Sequence, residues 1–190
     1  MHHLLTPYSE KIESWAWWED AFNDQELNWL QQKAKEANNP GMVRAGLNLD
    51  YRRSNVSWLN KDSECSWVFE RLANVVSSLN ASYFRFNLTG FGEALQLSNY
   101  HASNQGTYKP HADLNFEGIS RKLSLVLQLS DPTDYEGGNL QLFLGDEPVN
   151  VPKNRGSIVV FPSWTLHQVT PVTKGTRQSL VSWVTGPPFK

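Results

Sequence analysis

From Tyr83 onward, the apolar residues of this 190-residue chain recur at every second position, in short segments separated by Gly, Pro, Asn and Asp clusters. This period is that of a β-strand with one face toward an apolar interior. The predicted strands lie near residues 83–88, 94–101, 122–129, 139–144, 148–151, 157–161, 166–170 and 176–184. Many short strands at such spacing predict a β-sandwich or a β-barrel.

The clearest of these segments is LSLVLQL, residues 123–129. Strand alternation places its four leucines on one face and Ser124, Val126 and Gln128 on the other. The leucine face is suited to cover by helices. The mixed face then looks into the barrel, where a polar ligand would need such side chains. The interior of the sheet is therefore a candidate pocket.

The first 80 residues have a helical period and predict two helices. Asn23 and Glu26 stand at capping-box spacing before the first helix, and Ser63 is the predicted cap of the second. The predicted apolar faces consist of Leu27, Leu30, Ala34 and Ala37 in the first helix, and of Cys65, Val68, Phe69, Leu72, Val75, Val76 and Leu79 in the second. We expect a single domain, residues 1–190, with residues 1–80 as helical support and residues 81–190 as the β core.

The overall composition narrows the classes of protein. The net charge is −2, so no general field attracts nucleic acid or an anionic membrane. The single cysteine, Cys65, excludes an internal disulfide framework and a multi-cysteine zinc site. No segment approaches the roughly eighteen apolar residues that span a bilayer, and the N-terminus lacks the pattern of a secretion signal. We therefore expect a soluble, cytoplasmic protein.

The stretch YKPHADLNF, residues 108–116, contains a His-x-Asp pair. Positions i and i+2 of a strand share a face, so the His111 imidazole and the Asp113 carboxylate are expected to converge. His167 follows a Pro-Ser-Trp turn after a buried strand and is predicted to meet this pair across the barrel. Two imidazoles and one carboxylate leave one side of a metal ion open, which is the facial arrangement of non-haem Fe(II) oxygenases.

Arg177 lies ten residues after His167, and alternation places it on one strand face with Ser179, Val181 and Trp183. If that face is the inner one, the guanidinium and the Ser179 hydroxyl are placed to hold a carboxylate through charge-assisted hydrogen bonds. No acidic side chain is assigned to Arg177 by the sequence pattern. An anionic ligand is therefore expected.

The segments YKPHAD, LSDPTDYEGGNL and VVFPSWTLHQVTPVTKGTR, together with Trp183, resemble the Fe(II)/2-oxoglutarate-dependent dioxygenases, in their prolyl 4-hydroxylase-like branch. The resemblance spans about half of the chain. The specific part is the order of the motifs: His-x-Asp, a Gly-Gly hairpin, a second histidine and then an arginine.

The resemblance implies a double-stranded β-helix, a jelly-roll or cupin-like fold, with the two helices packed on its major sheet. It implies that His111, Asp113 and His167 bind Fe(II), that 2-oxoglutarate chelates the iron, and that dioxygen takes the remaining position. The residues implied to bind 2-oxoglutarate are Tyr100, Gln128, Arg177 and Ser179, with Arg177 on the C5 carboxylate. Related enzymes often have a tyrosine in place of Gln128. Ascorbate is a further cofactor that the resemblance implies.

The resemblance also implies a substrate side, formed by Tyr108, Arg121 and Trp183. Nucleic-acid demethylases of the superfamily carry a second arginine at the position of Trp183, so the sequence argues against nucleic acid as a partner. We expect hydroxylation of an unactivated C–H bond in prolyl residues of a peptide or protein, with release of succinate and CO2. A free amino acid or another small metabolite is the alternative substrate. The sequence leaves the oligomeric state open.

Two other readings remain open from the sequence. A zinc hydrolase also uses two histidines and a carboxylate, but this reading gives Arg177 no task. A non-catalytic, cupin-like metal-binding module would need a fourth protein ligand to close the coordination sphere.

Overall fold

The computed structural model describes residues 13–43, 46–114 and 118–188. The strands are β1 (Ala16–Trp18), β2 (Asn39–Pro40), β3 (Arg52–Arg53), β4 (Asn55–Leu59), β5 (Gly90–Phe91), β6 (Leu95–His101), β7 (Thr107–His111), β8 (Arg121–Gln128), β9 (Tyr135–Gly137), β10 (Leu140–Phe143), β11 (Pro148–Asn150), β12 (Ile158–Pro162), β13 (His167–Val169) and β14 (Val172–Thr185). Helices α1 (Asp24–Lys35) and α2 (Ser66–Leu79) precede most of them. The N-terminal segment on which the absence of a secretion signal was predicted lies mainly outside the described residues.

The strands form two antiparallel sheets. The major sheet has the order β1-β12-β8-β14-β6-β4-β2, with β5 and β9 also paired to β14. The minor sheet has the order β11-β10-β13-β7-β3. Apolar side chains of both sheets, among them Val126, Phe161, Leu142 and Val169, form one cluster between them. The predicted mainly β, jelly-roll fold with N-terminal helices is confirmed.

Both helices pack on the leucine face of β8, as predicted. The four leucines of LSLVLQL are buried in one core cluster with the apolar faces of α1 and α2. Burying a leucine side chain contributes roughly 1.5–3 kcal/mol, so this layer is a major source of stability. The opposite face of β8 is thereby left to the space between the sheets. No helix in the described part of the chain is both long and apolar enough to cross a membrane.

The start of α1 is as predicted, whereas the start of α2 is not. Asn23 and Glu26 form the complete capping box of α1. The prediction of Ser63 as the cap of α2 is wrong, because the helix begins at Ser66 and its N-cap, Cys65, makes no side-chain capping bond. Instead, Oδ1 of Asp62 accepts hydrogen bonds from the backbone N–H groups of Glu64 and Cys65, each at 3.0 Å.

The predicted strand at residues 83–88 is also wrong. Residues Asn80–Phe84 continue α2 as a π-helical turn, and Arg85 then adopts a left-handed conformation with φ 55°. The Asn80 side chain bonds both the N–H and the carbonyl of Phe86, each at 2.9 Å. This side chain satisfies the backbone groups that a neighbouring strand would otherwise pair, so no strand forms here.

Candidate metal centre and co-substrate pocket

His111, Asp113 and His167 converge at one end of the minor sheet. His111 ends β7, His167 begins β13, and the two residues are directly paired across these antiparallel strands. Asp113 follows β7, where its N–H donates to the carbonyl of Ser163 at 2.8 Å. One ligand atom from each of the three side chains lies within 4.8 Å of the others. The structure thus brings together the three residues that the sequence predicted as metal ligands.

Neighbouring groups fix the orientation of these side chains. Nδ1 of His111 lies 2.8 Å from the carbonyl oxygen of Lys109, and Nδ1 of His167 lies 2.9 Å from that of Thr165. A carbonyl can only accept, so each Nδ1 carries the hydrogen and each Nε2 keeps a lone pair for a metal. The Nε2 atoms of His111 and His167 lie 3.8 and 3.5 Å from the Asp113 carboxylate.

The electrostatics of the cluster favour the metal-binding protonation states. Burial, together with the neighbouring His167, lowers the pKa of His111 to about 4. Burial opposes ionisation of Asp113, but His167, His111 and a hydrogen bond from Ser124 outweigh it and lower the pKa of the carboxyl. At neutral pH, His111 is therefore a neutral imidazole and Asp113 a carboxylate, which are the forms that coordinate a metal ion.

Ser124 forms a hydrogen bond with Asp113, and no functional role was predicted for it from the sequence. Its hydroxyl donates to Oδ2 of Asp113 at 2.7 Å and lies 3.2 Å from the hydroxyl oxygen of Ser163. The alternation of LSLVLQL already placed Ser124 on the interior face, but only the structure shows that this position faces the carboxylate.

We predict that Ser124→Ala weakens iron binding by about 10- to 100-fold, because the carboxylate loses the bond that orients it. Titration with Fe(II) under anaerobic conditions measures the change. Ser182→Ala is the matched control, since Ser182 is a buried serine of the adjacent strand whose hydroxyl has no hydrogen-bond partner within the described ranges. Equal iron affinities in the two variants would show that Ser124 does not position Asp113.

Arg177 is buried in the middle of the major sheet, with 1% of its surface exposed. Its Nη2 donates to Oε1 of Gln128 at 3.0 Å and its Nη1 to the hydroxyl of Ser179 at 3.2 Å, while Nε has no hydrogen-bond partner among the described residues. The Tyr100 ring lies 5.4 Å from the guanidinium carbon. Burial raises the pKa of Tyr135, and the adjacent Arg177 opposes this rise.

No acidic side chain among the described residues forms an ion pair with Arg177. A buried guanidinium with only neutral partners and one free N–H is suited to an anion supplied by a ligand. Gly138, in the Gly-Gly hairpin, makes room for it, because a Cβ at this position would lie 3.0 Å from Cδ of Arg177. The surroundings of Arg177 thus fit the carboxylate of a co-substrate.

One cavity of about 1110 Å³ lies between the sheets and connects the two parts of the site. Its wall includes the predicted metal ligands and Tyr100, Arg177 and Ser179. Gln128 lies behind Arg177 and is not part of that wall. The functional roles of Tyr100, Gln128, Arg177 and Ser179 stay predictions.

The residues predicted to form the substrate side line the same cavity. The Tyr108 ring stacks on the His111 ring, with 3.4 Å between their centroids. Arg121 forms a bidentate ion pair with Glu93, and its guanidinium carbon lies 3.8 Å from the Trp183 ring centroid. The Trp183 ring is 6.3 Å from that of Trp58, which is 46% exposed. Neither Glu93 nor Trp58 was predicted from the sequence as an individual site residue.

Residues 95–185 match the model of the 2OG-Fe(II) oxygenase superfamily. This segment contains all three candidate metal ligands and Arg177. The chain is similar to this superfamily over that segment. Its fold is similar to that of solved prolyl hydroxylases.

Curated relatives of the chain are named PKHD-type hydroxylases. The one from Teredinibacter turnerae is 37% identical over 87 residues, which are 43% of this chain and 38% of that protein. The one from Gloeothece citriformis is 41% identical over 81 residues, covering 41% of this chain and 37% of that protein. The chain thus matches less than two fifths of the length of these relatives.

Solved structures share the fold over most of the chain. A prolyl-4-hydroxylase from Pseudomonas putida has a TM-score of 0.71 at 22% identity, covering 92% of this chain and 94% of that one. A prolyl hydroxylase from Trichoplax adhaerens, solved with a hypoxia inducible factor peptide, has a TM-score of 0.76 at 16% identity. It covers 90% of this chain and 83% of that one.

Proposed function

We propose that the protein is an Fe(II)- and 2-oxoglutarate-dependent dioxygenase that hydroxylates an unactivated C–H bond in prolyl residues of a peptide or protein. The observation that carries this proposal is one cavity lined by two histidines, one carboxylate and a buried arginine without an acidic partner. The superfamily match covers these residues.

The donor set fits Fe(II). His111 and His167 each present a lone pair on Nε2, Asp113 presents an oxygen, and the described residues add no fourth histidine, cysteine or acid to the group. Three protein donors leave positions for a chelating oxo-acid and for dioxygen. Iron bound here, with these two partners, supplies the oxidising power to hydroxylate a C–H bond while 2-oxoglutarate becomes succinate and CO2.

The protein's own contribution is position and charge. Arg177 neutralises the C5 carboxylate of 2-oxoglutarate, and Gln128 and Ser179 hold the guanidinium in place. Ser124 orients the carboxylate of Asp113. Arg177 and Ser179 are buried, which strengthens their electrostatic interactions with the co-substrate.

Aromatic side chains in the cavity wall support a prolyl substrate. Tyr108 lies beside His111, and Trp58 and Trp183 form the opposite wall, so an apolar pyrrolidine ring finds aromatic surfaces near the metal centre. Burial raises the pKa of Tyr108 to about 12, so its hydroxyl stays a neutral donor at physiological pH. The names of the relatives and structural neighbours, prolyl and PKHD-type hydroxylases, agree with this substrate class.

Two rivals account for fewer observations. A zinc hydrolase leaves Arg177 and its free Nε without a task. A closed, structural metal site requires a fourth protein ligand, and the described part of the chain supplies none.

The first test measures succinate formation from 2-oxoglutarate, together with absorbance under anaerobic conditions. We expect Fe(II) plus 2-oxoglutarate to produce a weak visible charge-transfer band, and we expect prolyl peptides to increase succinate release. Parallel reactions with and without ascorbate test the predicted need for this reductant. A protein that binds Fe(II) yet shows neither the band nor succinate formation would contradict the proposed activity.

A further inference from the structure

Arg52 is a second buried arginine in the wall of the cavity. It lies on β3, at the edge of the minor sheet, and the residue is only 5% exposed to solvent. Its Nε donates to the hydroxyl of Ser54 at 2.8 Å and its Nη1 to the carbonyl of Met42 at 3.1 Å. Its Nη2 has no hydrogen-bond partner in the part of the chain that the structure describes.

The backbone around Arg52 is shaped to accept a guanidinium. A Cβ at Gly41 would lie 2.5 Å from Nε of Arg52 and 2.4 Å from the Ser54 hydroxyl oxygen, so only glycine allows this approach. The Tyr108 ring covers the group, with its centroid 4.6 Å from Cζ. A solvent-exposed surface arginine would not need these buried contacts. The charge is held in a defined place.

Among the described residues, the charges in the cavity wall leave Arg52 without a counterion. Arg121 is paired with Glu93, and Arg177 has the task of binding the co-substrate. No acidic side chain in the described ranges forms an ion pair with Arg52. A buried cation without an anion is costly, so the free Nη2 points to a negative group that arrives with a ligand.

The position of Arg52 relates it to the substrate rather than to the C5 carboxylate. Arg52 and Tyr108 are paired across β3 and β7, and Tyr108 in turn stacks on His111. Arg177 lies on β14 of the other sheet. The two guanidiniums are thus anchored on opposite sheets of the same cavity.

We propose that Arg52 binds a carboxylate of the substrate and thereby selects substrates that carry an acidic group near the carbon to be hydroxylated. This inference rests on the proposed function. The carboxylate is either the terminal one of a proline or prolyl peptide, or the side chain of an acidic residue beside an internal proline. Both present the same planar oxygen pair to a guanidinium fork.

The test compares carboxylates with their uncharged amides. The probes are L-proline and L-prolinamide, acetyl-Gly-Pro and its amide, and acetyl-Gly-Pro-Glu-amide and its Gln counterpart. Binding is measured through water proton relaxation of the protein loaded with Mn(II) and 2-oxoglutarate, and turnover through succinate release. We expect at least one carboxylate to bind about tenfold or more tightly than its amide, since hydrogen bonds to charged groups are the stronger ones. The pair that discriminates identifies the source of the carboxylate.

Arg52→Gln is expected to abolish this preference, and Arg53→Gln is the matched control. Arg53 is the next residue of β3 and bonds the carbonyls of Gln105 and Leu49. It does not line the cavity. If Arg52→Gln does not fold, Arg52→Met makes the same comparison, because methionine is unbranched and flexible and brings no charge or hydrogen-bond donor into the buried position.

Three results would overturn the role of Arg52: no carboxylate preference in the wild type, a preference that survives in Arg52→Gln or Arg52→Met, or weaker binding of 2-oxoglutarate itself in these variants. The last result would assign Arg52 to the co-substrate. Failure of the proposed function looks different, because the wild type would then neither bind 2-oxoglutarate in the presence of metal nor form succinate from it.

Discussion

Replacing Asp113 by alanine is expected to lower succinate formation by more than about 100-fold, the upper end of the loss seen when only a supporting contact of a metal ligand is removed. Asp113 is the sole carboxylate in the group of three ligands, and two neutral imidazoles alone cannot offset the charge of Fe(II). Iron titration should show a parallel loss of affinity. Uncoupled turnover, without any prolyl substrate, should fall to the same extent because the metal itself is lost.

Asp113→Asn separates charge from shape. The amide oxygen can still accept the hydrogen bond from Ser124, but the side chain no longer carries a negative charge. Asn is therefore expected to behave like Ala toward iron. The control is His101→Ala, because His101 is an imidazole of β6 that bonds the Thr176 hydroxyl and takes no part in the ligand group. Normal iron binding in both Asp113 variants would remove this residue from the metal centre.

The thermal stability of the metal-free protein distinguishes loss of metal from loss of fold. The core layer under the two helices is formed by the leucine face of β8, whereas Asp113 lies beyond the end of β7. We therefore expect the melting temperature of the metal-free Asp113→Ala protein to stay within about 4 °C of the wild type, the largest shift that about 1 kcal/mol produces in a domain of this size. Added iron should stabilise only the wild type.

Local sequence patterns predicted those parts of the fold that depend on neighbouring residues. The alternation of LSLVLQL predicted both the leucine core and the interior face, and the spacing of Asn23 and Glu26 predicted the start of α1. The strand at residues 83–88 was predicted wrongly because the side chain of Asn80, outside the segment, satisfies the backbone of Phe86. Whether a side chain or a neighbouring strand pairs with a backbone group depends on three-dimensional contacts, which the local pattern does not contain.

The candidate site also contains residues that local spacing predicts and residues that depend on long-range strand pairing. His111 and Asp113 are two residues apart, so strand geometry was enough to predict that they converge. The link between Arg52 and Tyr108 depends on the pairing of β3 with β7, which are far apart in sequence. No periodicity predicts that register, nor the ion pair between Arg121 and Glu93. The cytoplasmic location and the ascorbate requirement stay predictions.

Arg177→Lys is expected to raise the concentration of 2-oxoglutarate needed for half-maximal activity by roughly 10- to 100-fold, with a smaller effect on the maximal rate. Lysine keeps the charge but loses the planar fork that holds both carboxylate oxygens, and each charge-assisted hydrogen bond is worth roughly 1.5–3 kcal/mol. Arg177→Ala loses the charge as well and should raise the requirement further. Titration of succinate formation with 2-oxoglutarate measures both effects.

The matched control is Arg155→Lys. Arg155 bonds the carbonyl of Leu129 and the side chains of Asp24 and Asn28, so it ties α1 to the sheet and does not line the cavity. Its replacement should lower the melting temperature without changing the 2-oxoglutarate requirement. Stabilisation of the metal-loaded protein by 2-oxoglutarate provides a readout without turnover, and Arg177→Ala should lose it.

The iron affinity of the Arg177 variants shows whether their higher 2-oxoglutarate requirement comes from weaker co-substrate binding or from loss of the metal. Arg177 lies on the major sheet and the metal ligands on or next to strands of the minor sheet, so the Arg177 variants should bind iron like the wild type. Asp113→Ala is expected to lose iron and, with it, the co-substrate that chelates the iron. Arg177→Lys is expected to lose only part of its affinity for the co-substrate. An unchanged 2-oxoglutarate requirement in Arg177→Lys would mean that the guanidinium serves the neutral partners Gln128 and Ser179 alone.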